Sequence, residues 1–184
     1  TCCNKFKSTT NEKRIVLFDL SPSMERLTGL ESNVDVIKGD LADAKVVDSA
    51  VRKSGAEEIY HLGGLLSSPS DLDQVAAFNS NVVGTFNILE SARRHRVRQV
   101  LFSSTINTYG YDLPMDRVDD LTIQRPAMFY GATKLFCENI GRFYKSKYGI
   151  DFRGIRYPSI VGLGVKSQGI SQYTSRAIEE AATG

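Results

Sequence analysis

The feature that most constrains this chain is a regular alternation of short apolar segments with longer segments of helical periodicity. Five short segments predict strands, at 14–19, 34–38, 58–62, 99–103 and 151–157. Helical spacing predicts helices at 43–54, 71–95, 128–148 and 171–182, with a loop over 104–127. Strands that alternate with helices of this size form βαβ units. The sequence therefore predicts an α/β fold with a doubly wound parallel sheet covered by helices on both faces.

The longest predicted helix, 71–95, carries a regular apolar pattern. Val75, Phe78, Val82, Phe86 and Leu89 follow one another at steps of three and four residues. This spacing predicts one continuous apolar stripe along a single helix.

Composition excludes several classes of protein. Hydrophobic residues make up 41% and charged residues 24% of 184 residues, with a net charge of +2, which is ordinary for a soluble globular domain. The basic stretch 93–98 falls at the end of a predicted helix, where cations suit the helix dipole. No apolar run approaches the roughly 20 residues of a membrane span, and the first residues lack the apolar stretch of a signal peptide. We therefore expect neither a nucleic-acid nor a membrane partner.

Cysteine and histidine usage points to a reducing compartment without a metal site. The three cysteines match neither a disulfide framework nor a zinc pattern, and only two histidines are present. We therefore expect a cytoplasmic protein that binds no metal.

Candidate functional residues gather where predicted strands end. Asp19, Asp40, Gly63-Gly64, Ser103-Ser104-Thr105 and Tyr157-Pro158 each follow a strand. Ligands of open parallel sheets bind at the carboxyl ends of the strands. These residues are therefore candidates for a binding site, although Asp19 and Thr105 could instead only cap strand ends.

Tyr130 and Lys134 are the candidate catalytic pair. Residues four apart on a helix share one face, one turn apart. A free tyrosine has a pKa near 10, and a neighbouring ammonium favours the phenolate that a general base requires. A hydroxyl from Thr105, 25 residues upstream, could hydrogen-bond the substrate oxygen while Tyr130 moves its proton.

An ordered set of short motifs carries a family resemblance. The set comprises Gly39-Asp40-Leu41, His61-Leu62-Gly63-Gly64, Asn81-Val82-Val83-Gly84-Thr85, Ser103-Ser104-Thr105 with Tyr109-Gly110, Tyr130 with Lys134, and Arg156-Tyr157-Pro158. Over residues 14–182 the chain resembles the extended short-chain dehydrogenases, also called the NAD-dependent epimerase/dehydratase family. The resemblance implies a Rossmann-like fold and NAD as cofactor.

The resemblance also implies a role for each matching residue. Tyr130 is expected to be the general base or acid, Thr105 the substrate-orienting hydroxyl, and Lys134 the partner of Tyr130 that also holds the nicotinamide ribose. Asp19 is expected to bind the adenosine ribose, which favours NAD over NADP. The remaining expected cofactor contacts are Asp40, Leu41, Leu62, Gly63, Gly64, Asn81, Ser103, Tyr157 and Pro158.

The chain departs from the family at its beginning. The family opens with a strand and a G-x-x-G-x-x-G turn that cradles the pyrophosphate, and no such turn occurs in this sequence. We therefore expect an irregular segment over 1–13, then an NAD-binding domain over 14–184 that lacks the first strand and includes only the start of the substrate lobe.

Three functions follow from the resemblance. The stretch 147–158 is similar to the epimerase-like L-threonine 3-dehydrogenases, as is Gly169 followed by Tyr173, although Gln172 replaces an acidic residue of that group. The leading hypothesis is an NAD-dependent alcohol dehydrogenase of this kind. A nucleotide-sugar 4-epimerase is the alternative, and a non-catalytic dimerisation or cofactor-binding module is the third. The helices near 71–95 and 128–148 correspond to the family's dimer interface, so a homodimer is expected.

Overall fold

A computed structural model of the protein describes residues 14–30, 32–112, 117–161 and 173–183. The chain divides into two compact units, one that ends at Gly39 and one that begins at Asp40. The predicted irregular segment 1–13 lies outside the described residues.

The first unit contains a pair of parallel strands, β1 (Ile15–Asp19) and β2 (Val34–Lys38). Both strands agree with the predicted ones. A short 3-10 turn at Met24–Leu27 lies between them, and Leu27 within it is buried. Asp19 ends β1, and its carboxylate accepts a hydrogen bond from the backbone N–H of Ser21 at 2.7 Å.

The second unit contains a three-stranded parallel sheet in the order β3 (Glu58–His61), β4 (Gln99–Thr105) and β5 (Asp151–Tyr157). β4 extends two residues beyond the predicted strand, because Ser104 and Thr105 remain paired with β5. This pairing places Thr105 opposite Tyr157 at the carboxyl edge of the sheet.

Three helices lie close to their predicted positions: α1 (Ala44–Ser54), α5 (Phe129–Tyr148) and α6 (Tyr173–Thr183). Asp43 caps α1, because its carboxylate accepts hydrogen bonds from the first free backbone N–H groups of the helix. Gly149 ends α5 in the left-handed conformation, with φ 74°, which glycine adopts readily. Gly169 and Gln172 lie outside the described residues.

The predicted helix at 71–95 is confirmed over 74–94, where the backbone stays right-handed helical through each junction, but it is interrupted at Asp73, so four segments occupy this stretch. They are α2 (Ser67–Leu72), α3 (Gln74–Ala77), a π-helical segment (Phe78–Val83) and α4 (Gly84–Arg94). The break falls at Asp73, whose backbone is not helical (φ −137°, ψ 89°) and whose carboxylate accepts from the N–H of Ala76.

The π-helical segment also changes which side chains face the interior. A π turn contains more residues than an α turn, so the apolar pattern shifts around the helix axis. Val82 and Leu89 are buried at 7% and 0% exposure, whereas Val75 and Phe86 are exposed at 73% and 48%. The predicted continuous stripe is therefore divided between a buried and an exposed face.

Parallel strands with intervening helices give the chain the predicted α/β class. None of the five described strands is followed by a G-x-x-G-x-x-G turn. Within the described ranges, no helix is both long enough and apolar enough to cross a membrane.

Candidate active site

One face of α5 presents three polar side chains to the carboxyl end of the sheet. Tyr130, Lys134 and Glu138 are spaced by four residues, so they lie one above another on the helix. All three residues are buried, at 8%, 3% and 8% exposure. The first two are the predicted catalytic pair, whereas the sequence reasoning missed Glu138, which repeats the same spacing one turn further on.

Lys134 holds a buried ammonium group at the end of β4. Its Nζ donates a hydrogen bond to the backbone oxygen of Ser103 at 2.9 Å and lies 4.8 Å from the ring centroid of Phe102. Among the described residues, no carboxylate lies within ion-pair distance of Nζ. Burial therefore lowers the pKa of Lys134 to about 8, since water cannot solvate the charge.

Tyr130 lies one turn before Lys134, and its ring centroid is 5.7 Å from the lysine Nζ. None of the described residues hydrogen-bonds the Tyr130 hydroxyl. Burial raises the pKa of Tyr130. The acidifying effect expected from the lysine is therefore not seen in the pKa of Tyr130, which burial alone determines.

Thr105 reaches the same region through a tight turn after β4. Its Oγ1 accepts from the N–H of Asn107 at 3.2 Å, and its backbone oxygen accepts from the Thr108 hydroxyl at 3.0 Å. The turn packs directly on the start of α5, because a Cβ built on Gly131 would lie 1.9 Å from the Asn107 oxygen. Only glycine permits this contact, which brings the end of β4 to the helical turn of Tyr130.

Asn81 connects the loop after β3 with α5. Its side-chain oxygen accepts from the N–H of Leu65 at 2.7 Å, and its amide donates to the Leu65 oxygen at 3.2 Å and to Thr133 Oγ1 at 3.1 Å. A Cβ built on Gly64 would lie 2.6 Å from the Asn81 oxygen and 3.7 Å from Lys134 Nζ. The backbone of Gly64 therefore lies against the lysine, as the predicted site requires.

His61 and Thr85 form a second buried layer behind these residues. Thr85 Oγ1 donates to the backbone oxygen of Asn81 at 2.5 Å, so His61 Nε2, at 2.9 Å from Thr85 Oγ1, carries the proton and donates to it. Burial, with the positive charge of Lys134 adding to it, lowers the pKa of His61 to about 3. The sequence reasoning included both residues as motif members but assigned neither a role.

Leu41 packs at the base of the loop that follows β3. A Cβ built on Gly63 would lie 2.8 Å from Leu41 Cδ1, and one on Gly84 would lie 2.8 Å from Leu41 Cβ. The preceding Asp40 is exposed and accepts from the N–H of Ala42 at 2.8 Å. Leu41, Gly63 and Gly84 are thus in contact, whereas the carboxylate of Asp40 shapes the turn into α1.

The other predicted cofactor residues lie at exposed strand ends. Leu62 is 66% exposed after β3, and Tyr157 is 36% exposed at the end of β5 beside Thr105. Pro158 follows and is also exposed. Asp19 belongs to the other compact unit, and its carboxylate accepts from Ser21.

Lys134 and the Gly63-Gly64 backbone fit the nicotinamide-ribose half of a dinucleotide. The Gly63-Gly64 backbone is exposed and carries no side chain, and the adjacent Lys134 ammonium has donors beyond the one given to Ser103. Ribose hydroxyls are suitable acceptors for such donors. For the pyrophosphate, the sequence offers no glycine-rich turn.

A parallel α/β domain with a buried Tyr-x-x-x-Lys pair at the strand ends is the arrangement that the resemblance to the extended short-chain dehydrogenases implies. The family model for the NAD dependent epimerase/dehydratase family matches residues 3–184. The chain belongs to this family, whose members include NAD-dependent dehydrogenases and epimerases.

Two of the similar proteins are named as dehydrogenases. The chain is 32% identical over 146 residues to "L-threonine 3-dehydrogenase, mitochondrial" of Bos taurus, covering 79% of this chain and 39% of that protein. It is 34% identical over 143 residues to the uronate dehydrogenase of Pseudomonas putida, covering 78% of this chain and 50% of that protein.

The structural comparison gives the same fold. The crystal structure of L-threonine dehydrogenase from Phytophthora infestans superposes with a TM-score of 0.79 at 27% identity, covering 92% of this chain and 62% of that chain. The predicted Rossmann-like fold is thereby confirmed. The chain spans about two fifths to one half of the length of the two curated relatives described above.

Proposed function

We propose that this chain carries the proton-transferring part of an NAD-dependent oxidoreductase that moves a hydride between a secondary alcohol and NAD. One observation carries the proposal. Tyr130 is a buried phenol with no hydrogen-bond partner among the described residues, and Lys134 beside it is a buried ammonium with no carboxylate partner there. Groups buried in this way are costly to the fold and mark functional sites.

Each residue of the proposed triad has a distinct task. Tyr130 takes the proton of the substrate hydroxyl as the alcohol is oxidised. Thr105 Oγ1 accepts from Asn107, which leaves its own O–H free to hold the substrate oxygen. Lys134 holds the nicotinamide ribose and favours the Tyr130 phenolate by its charge. NAD, when bound, supplies the hydride acceptor.

L-Threonine is the first substrate to test, because one relative is an L-threonine 3-dehydrogenase at 32% identity. A uronate is the second, because another relative is a uronate dehydrogenase at 34% identity. The two identities are too similar to rank these substrates, so both are needed in the assay.

The test is a three-substrate panel with purified protein and NAD. Absorbance of NADH is followed with L-threonine, with a uronate and with a UDP-sugar. Net NADH formation with either of the first two supports the dehydrogenase. Epimerised UDP-sugar without net NADH supports the 4-epimerase instead. The absence of any heat in a calorimetric titration with millimolar NAD would contradict both, leaving the non-catalytic module.

We also propose that the protein forms a homodimer through the segments 74–94 and 129–148. Large apolar side chains protrude from both: Val75, Phe78, Phe86, Phe136 and Phe143 are 73%, 49%, 48%, 50% and 51% exposed. An exposed apolar surface of this kind is typical of an interaction site. A second copy presents the same surface, as a two-fold interface requires.

Sedimentation measurements test this dimer. The Phe136→Glu/Phe143→Glu variant should sediment as a monomer, whereas the wild type should sediment as a dimer. A matched variant on another exposed surface, Leu121→Glu (91% exposed), should leave the dimer intact. A wild-type monomer at every tested concentration would refute the dimer.

The cytoplasm is the compartment that we propose. Cys137 is a free and fully buried thiol, which suits a reducing environment. Fractionation of the source cells, with the protein detected by antibody, tests this assignment.

A further inference from the structure

A second polar cluster lies beside the proposed catalytic residues. Glu138 is its centre: Oε1 accepts from the Ser104 hydroxyl and from Arg156 Nε at 3.0 Å, and Oε2 accepts from Arg156 Nη2 at 2.8 Å. The Gln124 side-chain amide lies against the same ion pair. We call Ser104, Tyr109, Gln124, Glu138 and Arg156 the site-end cluster.

Arg156 extends this cluster to the loop that follows β4. Its Nη1 donates to the Tyr109 hydroxyl at 2.6 Å, and its guanidinium lies 5.2 Å from the Tyr109 ring centroid. The Tyr109 hydroxyl donates in turn to the backbone oxygen of Asp119 at 3.3 Å. One arginine therefore connects α5, β5 and two parts of the loop.

The ion pair is well compensated although it is buried. Burial alone would raise the pKa of Glu138, but hydrogen bonds from Arg156 and Ser104 outweigh it and lower the pKa. The same carboxylate raises the pKa of Arg156. Bidentate pairing fixes the orientation of both groups as well as their charges.

The residues that this cluster holds are neighbours of the proposed triad. Ser104 lies between Ser103, which accepts from Lys134, and Thr105. Glu138 lies one helical turn beyond Lys134, and Arg156 precedes Tyr157, which pairs with Thr105. A displacement of the ion pair would thus move the end of β4 relative to α5.

We propose that Glu138 and Arg156 are positioning residues that fix the end of β4 and its following loop against α5, so that Thr105 and Tyr130 meet one substrate oxygen. This inference rests on the proposed function for its kinetic part only. Misplacement by about 1 Å can lower turnover by about 10²-fold, which makes the inference measurable.

The test compares Glu138→Gln with Glu90→Gln. Glu90 is a matched control because it also accepts from an arginine and a tyrosine, Arg93 and Tyr144, away from the triad. In Glu138→Gln, amide hydrogen exchange over 103–109 and 117–124 should accelerate at least tenfold, and kcat should fall about 10- to 100-fold with the KM for NAD within twofold. Glu90→Gln should change neither quantity.

Unchanged exchange in Glu138→Gln, or kcat within threefold of wild type, would overturn the proposal. If wild type turns over none of the three substrates, the proposed function fails, while the exchange measurement still decides the positioning role. If Glu138→Gln does not fold, Arg156→Lys replaces it, because lysine keeps the charge but cannot pair with Glu138 and Tyr109 together. The same exchange and kcat changes are expected, and their absence there also overturns the proposal.

Discussion

Two clusters of the same chemical groups contact α5 in different ways. The site-end cluster joins the helix to strand ends and loops. The second cluster, here called the far-end cluster, consists of Glu90, Arg93 and Tyr144. Glu90 accepts from Tyr144 at 2.5 Å and from Arg93 at 2.9 and 3.1 Å, and thereby joins α4 to α5.

The two clusters differ in burial and in what they connect. The Glu138 and Arg156 side chains are 11% and 23% exposed, against 19% and 38% for Glu90 and Arg93. Arg93 lies only three residues from Glu90 on the same helix, whereas Arg156 lies on a separate strand from Glu138. The far-end cluster therefore stabilises two packed helices, and the site-end cluster orders the segments that carry the proposed chemistry.

The site end also contains ionisable groups that the fold does not compensate. Lys134 and His61 are buried without a carboxylate partner among the residues described, and burial shifts both pKa values downward. At the far end, Arg93 lowers the pKa of Glu90 to about 2, despite the opposing effect of burial. We therefore expect removal of a catalytic group at the site end to lower activity with little loss of stability. Removal of a far-end group should lower stability and leave activity unchanged.

Tyrosine substitutions give the largest expected difference. Tyr130→Phe removes the proton carrier, so kcat should fall by about 10²–10⁴-fold. Stability should change little, because the Tyr130 hydroxyl has no hydrogen-bond partner among the described residues. Steady-state kinetics and urea unfolding measure the two effects.

Tyr144→Phe is the control on the same helix. It loses the hydrogen bond to Glu90, so stability should fall by about 1 kcal/mol while kcat stays within threefold. If Tyr130→Phe kept its kcat within threefold, Tyr130 would not be the base, and the contrast between the two tyrosines would disappear.

Acid unfolding gives the next largest difference. The pKa of His61 is about 3 in the folded protein, against 6.5 as the ordinary value, so the unfolded chain binds the extra proton between these pH values. The contribution of neutral His61 to the free energy of unfolding is therefore complete above pH 6.5. It is lost as the pH falls towards 3 and amounts to on the order of 4 kcal/mol. His61→Gln should remove this part of the acid sensitivity.

His95→Gln is the matched control, since His95 is partly exposed and its Nε2 lies 3.1 Å from an Asp48 oxygen. Urea unfolding at several pH values between 3 and 7 measures both variants against wild type. Equal acid sensitivity in wild type and His61→Gln would show that His61 protonation does not couple to unfolding.

Much of the fold follows from the sequence, because local signals and tertiary packing agree. Apolar runs mark all five strands, and Asp43 and Gly149 mark helix ends. The segment 71–95 is the exception. The non-helical backbone at Asp73 and the π-helical turn after Ala77 depend on packing, which periodicity does not report.

The candidate site also combines features that the sequence predicts with contacts that it does not. Spacing alone places Tyr130 and Lys134 on one face, and the structure brings Ser103 and Gly64 to Lys134. Asn81 reaches the same helical turn by a hydrogen bond to Thr133. Other contacts join residues far apart in sequence. The pairing of Glu138 with Arg156 spans 18 residues and that of His61 with Thr85 spans 24, and neither has a local signature.

Removing one charge at each end gives the smallest effects, and they should differ in sign. Lys134→Met replaces a buried, uncompensated ammonium with an apolar side chain of similar length, so stability at pH 7 should rise by about 1 kcal/mol even though Ser103 loses its donor. Glu90→Gln should lower it by about 1 kcal/mol, since it weakens charge-assisted hydrogen bonds that are partly exposed.

The pH dependence shows whether the lysine charge causes the difference. The folded protein has a Lys134 pKa of about 8 against an ordinary 10.5, so the unfolded chain binds more protons between these values. The free energy of unfolding of the wild type should therefore increase as the pH rises from 8 to 10.5, and that of Lys134→Met should not. Urea unfolding across this range measures it. A destabilised Lys134→Met with the wild-type pH profile would mean that Lys134 acts through packing, as the far-end residues do, and the contrast between the two ends would not extend to charge.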